Sequence, residues 1–161
     1  MKIYLMKKSR VILFALTIGL FLSSCSKKSD STSPKSSNKI TSAKFTITVS
    51  GVDPSDGDKS DFDFSAYSPS ATSSTYWKIN GVTQTNQDGI SLHATGFVSQ
   101  NTYTVELTQP ADDIGVGVTC INFHAPFTVS YTAEINGIVV KTITNQSVAA
   151  GVNFAPTFTY P

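Results

Sequence analysis

The sequence predicts an all-β domain, an antiparallel β-sandwich of immunoglobulin-like or jelly-roll type with eight or nine short strands. Three observations lead there. From Thr41 onward, apolar residues alternate with polar ones at a period of two and show no helical period. The alternating runs are rich in β-branched and aromatic residues, and clusters of Gly, Pro, Asn and Asp separate them. Two Asn-Gly pairs, in INGV (79–82) and INGI (135–138), sit between β-branched residues. That is the signature of a two-residue hairpin, because both central positions need positive φ.

Taken in order, KFTITVSG (44–51) places Phe45, Ile47 and Val49 on one face and Lys44, Thr46, Thr48 and Ser50 on the other. DFDFSAY (61–67) alternates Phe62, Phe64 and Ala66 against Asp61, Asp63 and Ser65. The first Asn-Gly hairpin sets Ile79 opposite Val82 and Trp77 opposite Gln84. A strand is predicted over 90–98 (ISLHATGFV), followed by NTYTVELTQ (101–109), with Tyr103, Val105 and Leu107 inward. GVGVTCINF (115–123) follows, its Val116, Val118 and Cys120 sharing a face. The second hairpin pairs Ile135 with Ile138, Ala133 with Val140 and Tyr131 with Thr142, with Phe127 and Val129 extending the apolar face and the returning strand running over 138–145. The last segment groups Val152, Phe154, Phe158 and Tyr160, and Pro156 marks an edge or a bulge. The Cys, Trp and Cys spacing of true immunoglobulin domains is absent.

The N-terminus follows a different logic. Lys2, Lys7, Lys8 and Arg10 precede the apolar run Val11 to Leu22, then Leu22-Ser23-Ser24-Cys25. Twelve residues form a helix of about 18 Å, too short for a hydrocarbon core of about 30 Å. This leader resembles that of bacterial lipoproteins, whose lipobox ends in the cysteine that becomes the mature N-terminus. The resemblance covers residues 1 to about 26. It implies cleavage after Ser24, acylation of Cys25, and a partner that is the membrane itself, reached through lipid on Cys25. Each buried CH₂ contributes about 0.8 kcal/mol, so two or three chains hold firmly. Ser26 stands where the best-known sorting rule of that class requires aspartate for inner-membrane retention, so the implied location is the cell envelope, with the outer membrane favoured. Three segments are therefore expected: a signal peptide (1–24), a lipidated Ser/Lys-rich tether (25–40) and a single sandwich domain (41–161).

Charge divides along the same boundaries. The full chain is +1, yet cleavage removes four positive side chains and leaves eight Lys against eleven acids, a net of −3. Residues 26–40 carry +3, while 41–161 hold four Lys and ten acids, a net of −6. An acidic domain without arginine is a poor ligand for phosphates, so no nucleic-acid partner is expected. The tether spans about 20 Å root-mean-square.

Chemistry-bearing residues are few. Asp53, Asp56, Asp58, Asp61 and Asp63 lie within eleven residues and make calcium the one cofactor to consider, since that ion needs six to eight oxygens. As an EF-hand the run fails, because Asp61 stands where glycine is needed and Tyr67 where the bidentate Glu belongs. A solvated polar turn uses the same residue types. Cys120 reads as a buried inert thiol, two isolated His and one Cys make no zinc set, and Glu106 and Glu134 fall on outward strand positions. STYWKING puts Tyr76 and Trp77 on opposite faces, so one of them is expected to stand free and, helped by Tyr67, to stack on a sugar ring. The sequence thus points to a non-enzymatic binding module for glycan or protein, with a structural subunit of an envelope assembly as the alternative and a hydrolase as a third class.

Overall fold

A computed structural model describes residues 39–161, and within them the chain forms a two-sheet antiparallel β-sandwich. The leader, Cys25 and residues 26–38 of the tether lie outside the described residues. The strands are β1 (Ala43–Ser50), β2 (Lys59–Tyr67), β3 (Trp77–Ile79), β4 (Val82–Gln84), β5 (Gly89–Leu92), β6 (Thr102–Leu107), β7 (Asp113–Ile121), β8 (Phe127–Ile135), β9 (Ile138–Val148), β10 (Asn153–Phe154) and β11 (Thr157–Tyr160). One sheet runs β4-β3-β6-β1-β8-β9, and the other β10-β7-β2-β5 with β11 also on β7. Eleven strands stand among the described residues where eight or nine were expected; the last segment, read as one apolar group around Pro156, divides into the short β10 and β11.

Period-two alternation decides which side chains meet. Phe45, Ile47 and Val49 of β1 turn inward against Phe62 and Phe64 of β2, and all five are buried. Between the sheets Phe45 lies 5.2 Å from Phe64 and 6.3 Å from Trp77, ring centre to ring centre, and Phe64 meets Trp77 edge-on at 5.8 Å. Tyr131 stacks on Phe158 at 5.1 Å, and their neighbour Tyr160 shares a hydroxyl bond with Tyr131 at 3.0 Å. Such tilted and offset pairs add to the burial that holds the sandwich.

Both hairpins form as predicted. Asn80 and Gly81, and Asn136 and Gly137, all have positive φ, and Ile79 pairs with Val82 and Ile135 with Ile138. Beyond its tip, however, the second hairpin departs from the expected register. Ala133 pairs with Lys141 rather than Val140, and Tyr131 with Ile143 rather than Thr142. An extra residue in β9 between Val139 and Lys141 bulges out, and a second shift lies between Val129 and Tyr131, where Asn145 takes φ 47° and its N–H donates to Ser130 Oγ at 2.9 Å. β9 is an edge strand, and bulges are tolerated there because only one side is held by a partner.

The strand expected over 90–98 stops at Leu92, and a short helix α1 (Ala94–Ser99) follows. Ala94 and Phe97 are both buried at a spacing of three, with Phe97 against Phe62 and Tyr103. Six residues are too few for a helical period to stand out. Val152, expected on the apolar face, is exposed, because only two residues, Asn153 and Phe154, pair with β7 there.

The strand directions give the domain two ends. At the proximal end, where the described chain begins, Ile40 bridges to Ala111, and the Asn136 side chain accepts from Thr41 N, Thr41 Oγ1 and Ser42 N at 2.8, 2.9 and 3.1 Å. The distal end holds the β1–β2 connection (51–58), the β7–β8 connection (122–126) and α1.

Candidate functional site

At the proximal end, β2 terminates at Tyr67, and the loop that follows runs over 68–76 before β3. Up to Tyr76 the loop is built from Ser, Pro, Ala and Thr, residues that close turns but bring little apolar area to bury. It is pinned by Ser68, whose hydroxyl donates to the Asp112 carboxylate, and by Gln109, whose side-chain nitrogen donates to the Ser73 carbonyl at 2.7 Å. Between loop and sheet lies an open cleft of about 370 Å³, lined by Tyr67, Ser68, Thr72, Ser73, Ser74 and Asp88 among others. The Tyr67 side is the wet parity of β2, and the residue is 65% exposed. The cleft therefore offers an accessible aromatic ring, several hydroxyls and one carboxylate.

The expected platform at Tyr76 or Trp77 does not exist. Trp77 is fully buried and Tyr76 is only 3% exposed. Alternation puts one of two neighbours in water only where both belong to an open strand, and β3 starts at Trp77. The 85–88 connection crosses over both residues: Tyr76 N donates to the Gln87 carbonyl at 3.1 Å and Trp77 Nε1 to the Asp88 carbonyl at 2.9 Å. Of the three aromatics singled out in the sequence, Tyr67 alone presents an open ring, while Tyr76 contributes to the cleft wall from beneath.

The five aspartates do not gather at one point. Asp53 caps a single 3₁₀ turn (Pro54–Asp56), its Oδ1 accepting from Ser55 N at 2.9 Å and from the Ser55 hydroxyl, and these bonds hold its carboxyl below the usual range. Asp58 is buried, 4% exposed, and accepts Phe123 N at 2.9 Å on one oxygen and Asp53 N at 3.3 Å on the other. Asp61 and Asp63 belong to β2: Asp61 meets His93 Nδ1 at 3.1 Å, and Asp63 accepts from the Ser91 hydroxyl. Asp56 lies 3.8 Å from His124 Nδ1. Among the described residues no three carboxylate, imidazole or thiol groups form a metal-binding set. Each acid has its own local partner: Asp53 and Asp58 brace the 51–58 connection, Asp61 and Asp63 tie β2 to residues 91–93, and among the described residues no preformed calcium cage gathers them.

Cys120 and the histidines are likewise separate. The thiol is fully buried, 3.7 Å from Ser60 Oγ, and burial pushes it up to about 11. A thiolate nucleophile needs the opposite environment. Both histidines are outward, each facing an aspartate. Glu106 and Glu134 are cross-strand neighbours of Lys44 on the outer face of the six-stranded sheet.

One exposed residue escaped the sequence reading. Phe123 follows β7 and is 57% exposed, its ring edge lying over Gly57, where an added Cβ would sit 3.6 Å from Cδ2. Parity was the available signal: Cys120 and Asn122 point in, so Phe123 is an aromatic at an outward position.

No family model and no curated protein sequence matches the chain. Solved structures do share its fold. A DUF4425 family protein from Bacteroides ovatus matches with a TM-score of 0.51 at 13% identity, over 75% of this chain and 94% of that one. The calcium-bound form of a protein from Parabacteroides distasonis matches with a TM-score of 0.52 at 16% identity, over 75% of this chain and 92% of that one. At such identities the likeness is one of fold, the two-sheet β-sandwich.

Proposed function

We propose that the chain is a lipid-anchored protein of the bacterial envelope whose domain works by binding and not by catalysis, and that a glycan is taken in the cleft beside Tyr67. The observation that carries this reading is the accessible Tyr67 ring at the edge of a cleft rich in hydroxyls. A pyranose has an apolar face for a ring to cover and a rim of hydroxyls, and Ser and Thr side chains can donate to or accept from that rim. The lipobox-like Leu22-Ser23-Ser24-Cys25 supports the anchor, with outer-membrane placement following from Ser26. Binding is favoured over chemistry because the thiol is sealed and neither histidine stands beside a nucleophile among the described residues.

The test is a glycan array read with the purified protein and with its Tyr67→Ala variant. At least one glycan is expected to bind, with a tenfold or greater loss in the variant. Binding that ignores the variant removes the cleft, and a blank array together with a blank pull-down from intact cells removes the binding reading. Mass spectrometry of the native product is expected to find a diacylglyceryl-modified Cys25 at the N-terminus; an unmodified thiol there overturns the anchor.

Two observations support second readings. β9 leaves Ile138, Val139 and Val140 exposed along a sheet edge, which suits an assembly subunit that pairs strands with a neighbour. Cross-linking in cells that returns only the isolated monomer would exclude it. Calcium rests on the calcium-bound state of the Parabacteroides protein of the same fold. In this chain Asp53 and Asp58 would have to exchange their N–H bonds for the ion, and a calcium titration with no heat and no shift in unfolding midpoint removes the idea.

A further inference from the structure

We infer that the distal end carries a second, independent saccharide contact, made of the exposed Phe123 ring with the Asp56 and His124 side chains beside it. It lies at the opposite end of the sandwich from the Tyr67 cleft and does not depend on that cleft.

The display of Phe123 is built. Asn122, fully buried, gives Nδ2–H to the Ala125 and Val148 carbonyls at 2.8 and 2.5 Å and accepts His124 N at 2.9 Å, so the whole 122–125 turn is clamped from inside. Asp58, also buried, fixes the Phe123 N–H from the neighbouring loop. Gly57 at φ 89° leaves a bare backbone surface on which one edge of the ring rests. Two buried polar side chains and a left-handed glycine thus hold an apolar ring in water, where it loses the burial that a core position would give it. A ring held this way has little left to lose in side-chain entropy when a ligand covers it.

The surroundings select the ligand class. Asp56, which precedes the Gly57 on which the ring rests, and His124, which follows Phe123, lie 3.8 Å apart, both about half exposed, and provide an acceptor and a donor. An apolar face next to paired hydrogen-bonding groups matches a sugar ring. Protein partners need an apolar interface core within about 800 Å² per side, and here a single exposed aromatic adjoins the half-exposed Asp56 and His124 pair. Phosphate-bearing ligands are opposed by Asp53, Asp56 and Asp58 in the same loop.

A Tyr67→Ala background keeps the cleft from answering for the platform. In it, native gels containing soluble starch, xylan, mannan or β-glucan are expected to retard the protein on at least one polysaccharide. Retardation should fall at least tenfold in apparent affinity with Phe123→Ala and persist with Phe123→Trp. Ring-proton shifts of Phe123 during titration with the corresponding hexaose read the same contact without altering the ring. No retardation on any of the four, retardation indifferent to Phe123→Ala, or an unmoved Phe123 ring overturns the inference. Equal retardation of the parent and the Tyr67→Ala protein would instead sink the cleft and leave this contact standing.

Discussion

Cys120 is a side chain whose chemistry its environment has switched off. Burial raises its pKa from an ordinary 9.0 to about 11, the nearby Ser60 hydroxyl only partly opposing the rise. A raised acid pKa means that the folded state favours the protonated thiol. Its contribution is therefore complete below pH 9 and is lost as pH climbs through 11. The window is worth on the order of 2 kcal/mol. Urea midpoints of the parent are expected to fall between pH 9 and 11, and a Cys120→Ala variant to fall less over that interval. The Tyr131 hydroxyl, raised by burial and by its bond to Tyr160, adds to the alkaline loss in both proteins. Equal slopes for the two proteins would refute the assignment. The buried thiol was legible in the sequence, since Cys120 alternates with Val116 and Val118, whereas the burial of Tyr76 was not, because a distant segment covers it.

Among the elements, the two Asn-Gly turns offer a matched comparison. Asn80 and Asn136 have φ of 48° and 52°, so replacing either with Ala incurs a similar left-handed cost, about 1 kcal/mol. Their side chains differ: Asn80 Oδ1 accepts one backbone bond, from Thr104 N at 2.8 Å, whereas Asn136 Oδ1 accepts three from Thr41 and Ser42. Asn136→Ala is expected to destabilise by about 2 to 3 kcal/mol and Asn80→Ala by about 1 to 2 kcal/mol in urea unfolding. Gly81→Ala serves as the control. Its added Cβ meets nothing within 4 Å, so only the backbone cost remains. Should Asn80→Ala prove the more damaging, Asn136 does not clamp the start of the domain. The turn chemistry itself could be read from four letters, but the bulges of β9 could not, since an edge strand has no second partner to enforce alternation.

As a whole molecule, the sandwich is assembled from distant pieces. β1 lies between β6 and β8, and β2 between β7 and β5, so the central pairings close long stretches of chain before any contact forms. Topologies of this kind fold in milliseconds to seconds. Stopped-flow refolding from urea, followed by Trp77 fluorescence, is expected in that range, and complete recovery within microseconds would contradict the sheet order. The same arrangement puts Tyr67 at the proximal end and Phe123 at the distal end, with the domain's beginning clamped beside the former.

Alternation, turn pairs and composition were enough to determine an antiparallel sandwich, the inward faces of β1, β2, β6 and β7, and both hairpin tips, because these depend on local geometry with a period of two. Tertiary structure alone decided that Trp77 and Tyr76 are covered and that the aspartates divide among separate partners. Those outcomes depend on which loop crosses which strand, and segments far apart in sequence meet only when the two sheets close on each other.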